Sequence, residues 1–386
     1  MPRVSIVIPT LNRAHLLRSS LRSAIQQSFP DLEVLVFDDM SSDDTSEVAT
    51  SHTSARVRYV RSPTRLNMSE SFEAALEQAR GEYITFLTDD SYLLPDCITR
   101  AYDAATRHDV PLVVWRHAGY FDEHWVEPAR RNTLYIPKVS HRELMFDSRA
   151  SLEQWFRTIQ GKAQWMPRSI NSMCHRSVIE SAKRAQGVFF LPPAPDHSSG
   201  VAMLMNTLAY VAIDEALVVD GVTKESVGPA QSFTRGKSAE DFYRSLGPSL
   251  EQATYLGLPA TSAIIAKSFE RAAAAYPDAP QLRLDVVLAQ INDDLAKLDA
   301  YGSNVSDSYA VLDEHALRLG HVFRLSLRAA RLRSRAKWSA VRLARSNSTL
   351  SAAVERLRGL QSLTGGNTQL RGIQEAADLL VEHSRS

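Results

Sequence analysis

Over the first 120 residues, short apolar runs alternate with longer segments whose apolar residues recur every three or four positions. Val4–Ile8 reads as a buried strand ended by Pro9, and Leu16, Leu17, Leu21, Ala24 and Ile25 follow at helical spacing. Glu33–Phe37, Val57–Val60, Tyr83–Leu87 and Leu112–Trp115 predict four more strands. Helices are predicted between them. Ser42 or Asp43 can cap one, another runs from Ser69 to a stop at Gly81, and Pro95 opens a third. Such alternation predicts an α/β fold, a Rossmann-like and mostly parallel sheet with helices on both faces.

Residues 120–170 are less regular and carry Pro128, Pro137 and Pro167. Ile170–Cys174 then predicts a strand, Ser177–Ala185 and Ser198–Leu208 helices, and Tyr210–Val219 a strand interrupted by Asp214-Glu215. From about residue 238, strand signals cease and Ala, Leu, Arg and Glu dominate at helical spacing. The expected organisation is an α/β unit over 1–220, a Gly/Ser/Thr-rich linker over 221–237, and an all-helical C-terminal region over 238–386.

Composition narrows the classes. The 386 residues, 44% hydrophobic, can build a sizeable core. Forty-four basic residues balance forty-four acidic ones, which with the lack of a reading motif argues against nucleic acid as a partner. Two cysteines, Cys97 and Cys174, exclude a disulfide framework or a multi-cysteine zinc site and fit a reducing, cytoplasmic setting. Met1-Pro2-Arg3 leads directly into strand-like sequence, so no secretory signal is expected. The longest apolar stretch, Val201–Ile213, falls short of the roughly 20 residues that span a bilayer.

Candidate chemistry gathers at the predicted strand ends, where ligands bind in such sheets. Thr10 and Asn12 follow strand one, Asp38-Asp39 strand two, and Asp89-Asp90 strand four. Adjacent carboxylates repel unless compensated. A divalent cation with phosphate oxygens completing its shell would compensate Asp89-Asp90, and capping of the next helix is the simpler alternative. Asp38-Asp39 could likewise cap a helix, or accept a hydrogen bond from the imide N–H of a uracil or thymine.

Three blocks carry a resemblance: Val4-Ser5-Ile6-Val7-Ile8-Pro9-Thr10-Leu11-Asn12-Arg13, Val36-Phe37-Asp38-Asp39-Met40-Ser41-Ser42-Asp43, and Gly81-Glu82-Tyr83-Ile84-Thr85-Phe86-Leu87-Thr88-Asp89-Asp90. In order and spacing they resemble glycosyltransferase family 2, inverting enzymes of the GT-A fold that use nucleotide-diphospho-sugars. The resemblance covers roughly residues 1–220. It implies that Pro9, Thr10, Asn12 and Asp39 line the base and ribose pocket and that Asp38 braces the turn. It also implies that Asp89 lies near ribose and donor sugar, and that Asp90 holds a metal, Mn2+ or Mg2+. Asp196 matches the family's catalytic base, with Asp214 and Glu215 as competitors and a plain helix cap as the simpler reading. Where the family often has an Arg-Asn pair, this chain reads Ser69-Glu70-Ser71-Phe72-Glu73, so Arg61 or Arg65 is expected to take over that contact. No Gln-x-x-Arg-Trp motif occurs, which argues against a processive synthase.

The expected activity is therefore metal-dependent, non-processive sugar transfer in polysaccharide or glycoconjugate synthesis. UDP- or dTDP-sugars are the favoured donors, and a carbohydrate or lipid-linked molecule the acceptor. A nucleotidyltransferase would want a glycine-rich first loop, which Pro9–Arg13 lacks. The other rival is a catalytically silent sugar-nucleotide-binding or scaffold protein. Trp115, Trp125, Trp155 and Trp165 could stack on sugars or sit in the core. Between Arg318 and Arg358, eleven Lys/Arg face one acid, Glu355, among Leu, Val and Trp side chains. That stretch reads either as a peripheral contact with the inner face of an anionic membrane or as a solvated helix face, and the helical tail could also support a homo-oligomer.

Overall fold

β1 (Val4–Thr10), β2 (Leu32–Asp38), β3 (Val57–Arg61) and β4 (Tyr83–Phe86) lie parallel in the order β4-β1-β2-β3. Alternate side chains of these strands enter two different cores: Val7, Leu35 and Phe37 on one side, Ile6, Ile8, Val34 and Val36 on the other. This is why β1 and β2 read as nearly unbroken apolar runs, whereas β3 at the sheet edge carries Arg58 and Arg61. The computed structural model describes residues 2–52, 54–159, 165–226, 228, 242–245, 250–363 and 370–385. The predicted linker is described only as far as Ser226 and at Gly228; the rest of 221–237 lies outside the described residues.

Helices α1 (Ala14–Ile25), α2 (Thr45–Thr50), α3 (Met68–Gln78) and α4 (Cys97–His108) connect or cover these strands. β5 (Ser91–Leu93) follows the Asp89-Asp90 turn, and β6 runs over Leu112–Phe121, six residues further than expected. Beyond β4 the sheet becomes mixed and continues through β9 (Ser172–His175), β6, β7 (Thr133–Pro137) and β11 (Leu360–Ser362). β10 (Ala209–Val222) pairs with β5, β6 and β8 (Glu143–Asp147). The expected interruption at Asp214-Glu215 is a register shift between Ile213 and Ala216, so β10 continues through it as a bulged strand. β7 and β8 were not legible because each offers only three consecutive apolar residues, closed by Pro137 in β7 and by Glu143 and Asp147 in β8.

α5 (Ser148–Thr158), α6 (Arg176–Gln186) and α7 (Pro195–Met205) cover one face. The C-terminal region follows with α8 (Leu250–Ala253), α9 (Thr261–Ala273), α10 (Leu284–Ala300), α11 (Ser306–Leu317), α12 (His321–Ala344), α13 (Ser348–Leu357) and α14 (Ile373–Arg385). Among the described residues its regular structure is helical as expected, apart from the three residues of β11. Phe269, Ile291 and Leu295 from α9 and α10 share one apolar cluster with Leu152, Phe156 and Val201 of α5 and α7, so no gap in packing separates the helices from the sheet. The chain then returns: Leu370, Ala376, Ala377 and Leu380 pack against Tyr92, Leu94, Tyr120 and Val219 of β5, β6, β10 and the turn after β5.

Candidate active site

β1, β2 and β4 end side by side, with Thr10 opposite Asp38 and Val7 opposite Phe86, so their C-terminal loops meet at one edge. Pro9 and Thr10 close β1 there, both buried. Asn12 takes φ 51°, a left-handed conformation that asparagine tolerates, and its side-chain oxygen accepts the Ser42 N–H at 2.7 Å. It thereby clips the β1 loop to the β2 loop. Asp38, fully buried, accepts the Ser41 N–H at 2.8 Å, the Tyr59 hydroxyl at 2.6 Å and Arg61 at 3.3 Å. With these partners it braces the turn. Asp39 accepts the Leu66 N–H at 2.9 Å and pairs with Arg65 at 3.1 Å. Burial raises its pKa above the ordinary carboxylate value, against the pull of Leu66 and Arg65.

Asp89 and Asp90 occupy the turn between β4 and β5. Thr10 donates its hydroxyl to Asp89 Oδ2 at 2.8 Å, and Arg13 Nη1 reaches Asp89 Oδ1 at 2.6 Å. The other Arg13 nitrogen lies 3.5 Å from Asp90 Oδ2, which also accepts the Ser226 hydroxyl at 2.8 Å. One guanidinium therefore offsets two carboxylates. Even so, burial, together with the charge on Asp90, pushes Asp89 up to about 6 against that pull. Gly221 closes the site from β10: its N–H donates to the Asp90 carbonyl at 2.9 Å, and a Cβ there would sit 2.1 Å from that carbonyl oxygen. Sequence reasoning passed over Arg13, although it sits in the first quoted block. Ser226 and Gly221 carried no signal, being some 130 residues distant in the chain.

Asp196 lies in the first turn of α7. The N-cap position is held by Ala194, so Asp196 sits inside the first turn and not at the cap position weighed above. A Cβ on Gly200 would meet the Pro167 carbonyl at 2.3 Å, so this glycine lets α7 press against residues 166–168 and sets Arg168 3.5 Å from Asp196. The neighbouring His197 is buried, which lowers its pKa. Among the described residues, Asp196 and the strand-end group are linked indirectly. Arg168 acts electrostatically on Asp220 as well, and Asp220 precedes the Gly221 that contacts Asp90. The competing carboxylates are engaged elsewhere: Asp214 with Arg116 and Ser140, Glu215 with Arg100 and His141. Trp115, Trp125 and Trp155 are core residues, whereas Trp165 is half-buried beneath Arg116.

Asp90 also walls a cleft of about 870 Å³. Among the described residues, no cluster of three or more His, Cys, Asp or Glu forms a closed metal cage. One or two carboxylates are enough for a cation that shares its shell with phosphate oxygens and water, and the Asp89-Asp90 donor set fits that arrangement.

The mostly parallel α/β sheet, with its helices and helical C-terminal region, is of the GT-A type. The S. aureus TarS 1–349 structure in complex with UDP-GlcNAc has this fold too, with a TM-score of 0.53 over 91% of this chain and 92% of that one; at 15% identity the likeness shows the fold alone. Residues 5–172 match the family described as Glycosyl transferase family 2. A Campylobacter jejuni protein named GalNAc(5)-diNAcBac-PP-undecaprenol beta-1,3-glucosyltransferase is 37% identical over 102 residues, covering 26% of this chain and 33% of its own. The Escherichia coli UDP-Glc:alpha-D-GlcNAc-diphosphoundecaprenol beta-1,3-glucosyltransferase WfaP is 29% identical over 92 residues, covering 24% and 37%. The chain thus spans about a third of the length of the curated relatives it matches.

Proposed function

We propose that this chain is an inverting glycosyltransferase moving a sugar from a UDP- or dTDP-sugar to a hydroxyl of a carbohydrate or lipid-linked acceptor. The observation that carries the reading is the Asp89–Arg13–Asp90 group at the ends of adjacent parallel strands, with Thr10, Asn12, Asp39 and Arg65 on the same edge. Asp39 would accept the imide N–H of the base, since a carboxylate has lone pairs beyond those used by Leu66 and Arg65. Arg65 would face the ribose or diphosphate, and Asp89 the ribose and donor sugar. Asp90 would hold a divalent cation, Mn2+ or Mg2+, which when bound supplies Lewis-acid neutralisation of the diphosphate.

Asp196 is the proposed base. Its carboxylate takes the proton from the acceptor hydroxyl, the freed oxygen bonds to the anomeric carbon, and the bond from that carbon to phosphate oxygen breaks. The electron pair leaves on the nucleoside diphosphate and the configuration inverts. Support for Asp196 over Asp214 and Glu215 is its looser engagement: its Arg168 contact is 3.5 Å long, whereas both competitors are closed into tight ion pairs. A thermal-shift screen of UDP-, dTDP-, GDP- and CMP-sugars with and without Mn2+ tests the donor. Proton NMR of the transferred sugar reads the anomeric outcome. A silent sugar-nucleotide binder would stabilise without ever hydrolysing or transferring donor, and GDP binding far more tightly than UDP and dTDP would overturn the nucleotide assignment.

A second reading, peripheral attachment to an anionic membrane, is favoured by α12. This helix has no acidic residue, and Val322, Leu325, Leu332 and Leu343 project from it at 83, 60, 67 and 73% exposure. Much of its charge is used inward: Arg328 and Arg331 bind Asp313, Arg335 binds Asp299 and Lys337 binds Asp293. Burial of the leucines would thus contribute more than headgroup attraction. No helix among the described residues is long and apolar enough to cross a membrane. Vesicle sedimentation decides. Binding to anionic vesicles should fall at least fivefold in Leu325→Ser/Leu332→Ser; no binding of the parent at low salt sinks this reading, and concentration-dependent self-association instead would favour a homo-oligomer.

A further inference from the structure

The cleft beside Asp90 lies apart from the nucleotide-side residues. Thr10, Asn12, Asp38, Asp39 and Arg65 do not line it, although Asp90 does. Arg13 reaches both carboxylates of the turn, but Asp89 is otherwise held by Thr10, whereas Asp90 accepts the Ser226 hydroxyl and lines the cleft. At about 870 Å³ the cleft falls within the range of small-molecule sites.

Its lining states what it suits. Asp90, Asp122, Glu123 and Glu225 bring four carboxylates against the two cations Lys224 and Arg371, with two imidazoles and an amide beside them. Acids outnumber strong bases, so a second phosphate would be repelled. Closely spaced hydrogen-bond acceptors and donors without net positive charge match the hydroxyls of a neutral saccharide.

One wall comes from the far end of the described chain. Leu370–Ile373 line the cleft, and the Leu370 carbonyl accepts the hydroxyl of Tyr120, itself a lining residue, at 3.3 Å. Behind this wall, α14 is fixed by Ala376, Ala377 and Leu380 against the sheet. Gly372 leaves the space open: a Cβ there meets nothing within 4 Å, in contrast to Gly221 across the cleft.

We propose that this cleft is the acceptor subsite for a neutral saccharide and that the returning segment Leu370–Ile373 sets the size of acceptor it admits. The word acceptor rests on the glycosyltransferase reading above, whereas saccharide binding does not.

Gly372→Trp places a bulky side chain at this wall, and Gly372→Ala is its conservative partner. Ligand-observed NMR with neutral disaccharides of glucose, galactose and N-acetylglucosamine measures cleft binding, and titration with UDP-sugars in Mn2+ measures the donor side. Expected is saccharide binding by the parent and by Gly372→Ala, weakened at least tenfold in Gly372→Trp, with UDP-sugar affinity unchanged within twofold. Transfer relative to donor hydrolysis should fall by a similar factor in Gly372→Trp. If that variant does not fold, Glu123→Ala, at an exposed lining position, should weaken saccharide binding several-fold. Absence of binding by every disaccharide, or full binding by folded Gly372→Trp, overturns the proposal. Loss of UDP-sugar affinity in folded Gly372→Trp assigns the cleft to the donor and overturns it as well. A parent that binds disaccharide and no sugar nucleotide would instead defeat the transferase reading and leave the cleft assignment standing.

Discussion

The Asp89-Asp90 turn shows how one residue changes the meaning of its neighbours. A buried carboxylate beside a half-buried one is tolerated because Arg13 reaches both, and Thr10 supplies a hydroxyl to Asp89 and Ser226 one to Asp90. Asp90→Asn removes the anionic donor proposed for the cation while keeping the side chain's shape. Mn2+-dependent nucleotide affinity should fall at least tenfold with the melting temperature nearly unchanged; equal affinity in calorimetric titration would refute the role. Asp196→Asn should lower turnover by about 10²-fold or more at unchanged donor affinity, the signature of a lost general base. Steady-state kinetics read this directly, and survival of turnover would move the base elsewhere. The acidic residues were legible in the sequence because each follows an apolar strand. Their counter-ion was not, since pairing Arg13 with Asp89 requires knowing that the first and fourth strands are adjacent.

At the scale of elements, the parallel strands and the helices around them were readable from periodicity, because burial on both faces leaves nearly unbroken apolar runs in β1 and β2. β7, β8 and β11 were not, being short, charged or proline-bearing strands whose pairing partners define them. The helical region was legible as helix, but not where it docks. Docking depends on a buried cluster: Glu127, in the β6–β7 connection, binds Arg345 at 3.0 Å and Arg130 at 3.1 Å, and Arg345 also binds Glu355 of α13. All four side chains are at most 5% exposed. Burial raises the pKa of Glu127, but Arg345 and Arg130 more than reverse this and hold it below its ordinary 4.5. A folded-state pKa below the unfolded one contributes stability above the unfolded value and loses it as pH falls through the folded one. Glu127→Gln should therefore cost about 3 kcal/mol near pH 7, because it leaves guanidinium charge buried and uncompensated. The difference from the parent should shrink below about pH 4.5. Denaturant melts across pH 3–7 measure both, and a pH-independent difference would show that the carboxylate's charge is not what the cluster uses.

For the whole molecule, the return of the chain to its own sheet has a kinetic side. The Tyr120–Leu370 contact spans 250 residues and the Arg22–Gln374 contact 352. By loop-closure entropy, joining ends 250 residues apart costs about 3 kcal/mol more than closing a ten-residue loop. The parallel half of the sheet, built from strands close in sequence, is thus expected to form early, and the α14 wall to be set in place late and to open first. Native-state hydrogen exchange should show amides of Ala376–Leu380 exchanging through a smaller opening than those of Val34–Val36; equal opening free energies would contradict this. A wall that can lift while the strands beneath it stay folded would let a bulky substrate enter sideways rather than thread, so the length of an accepted molecule would be limited by how long that wall stays open.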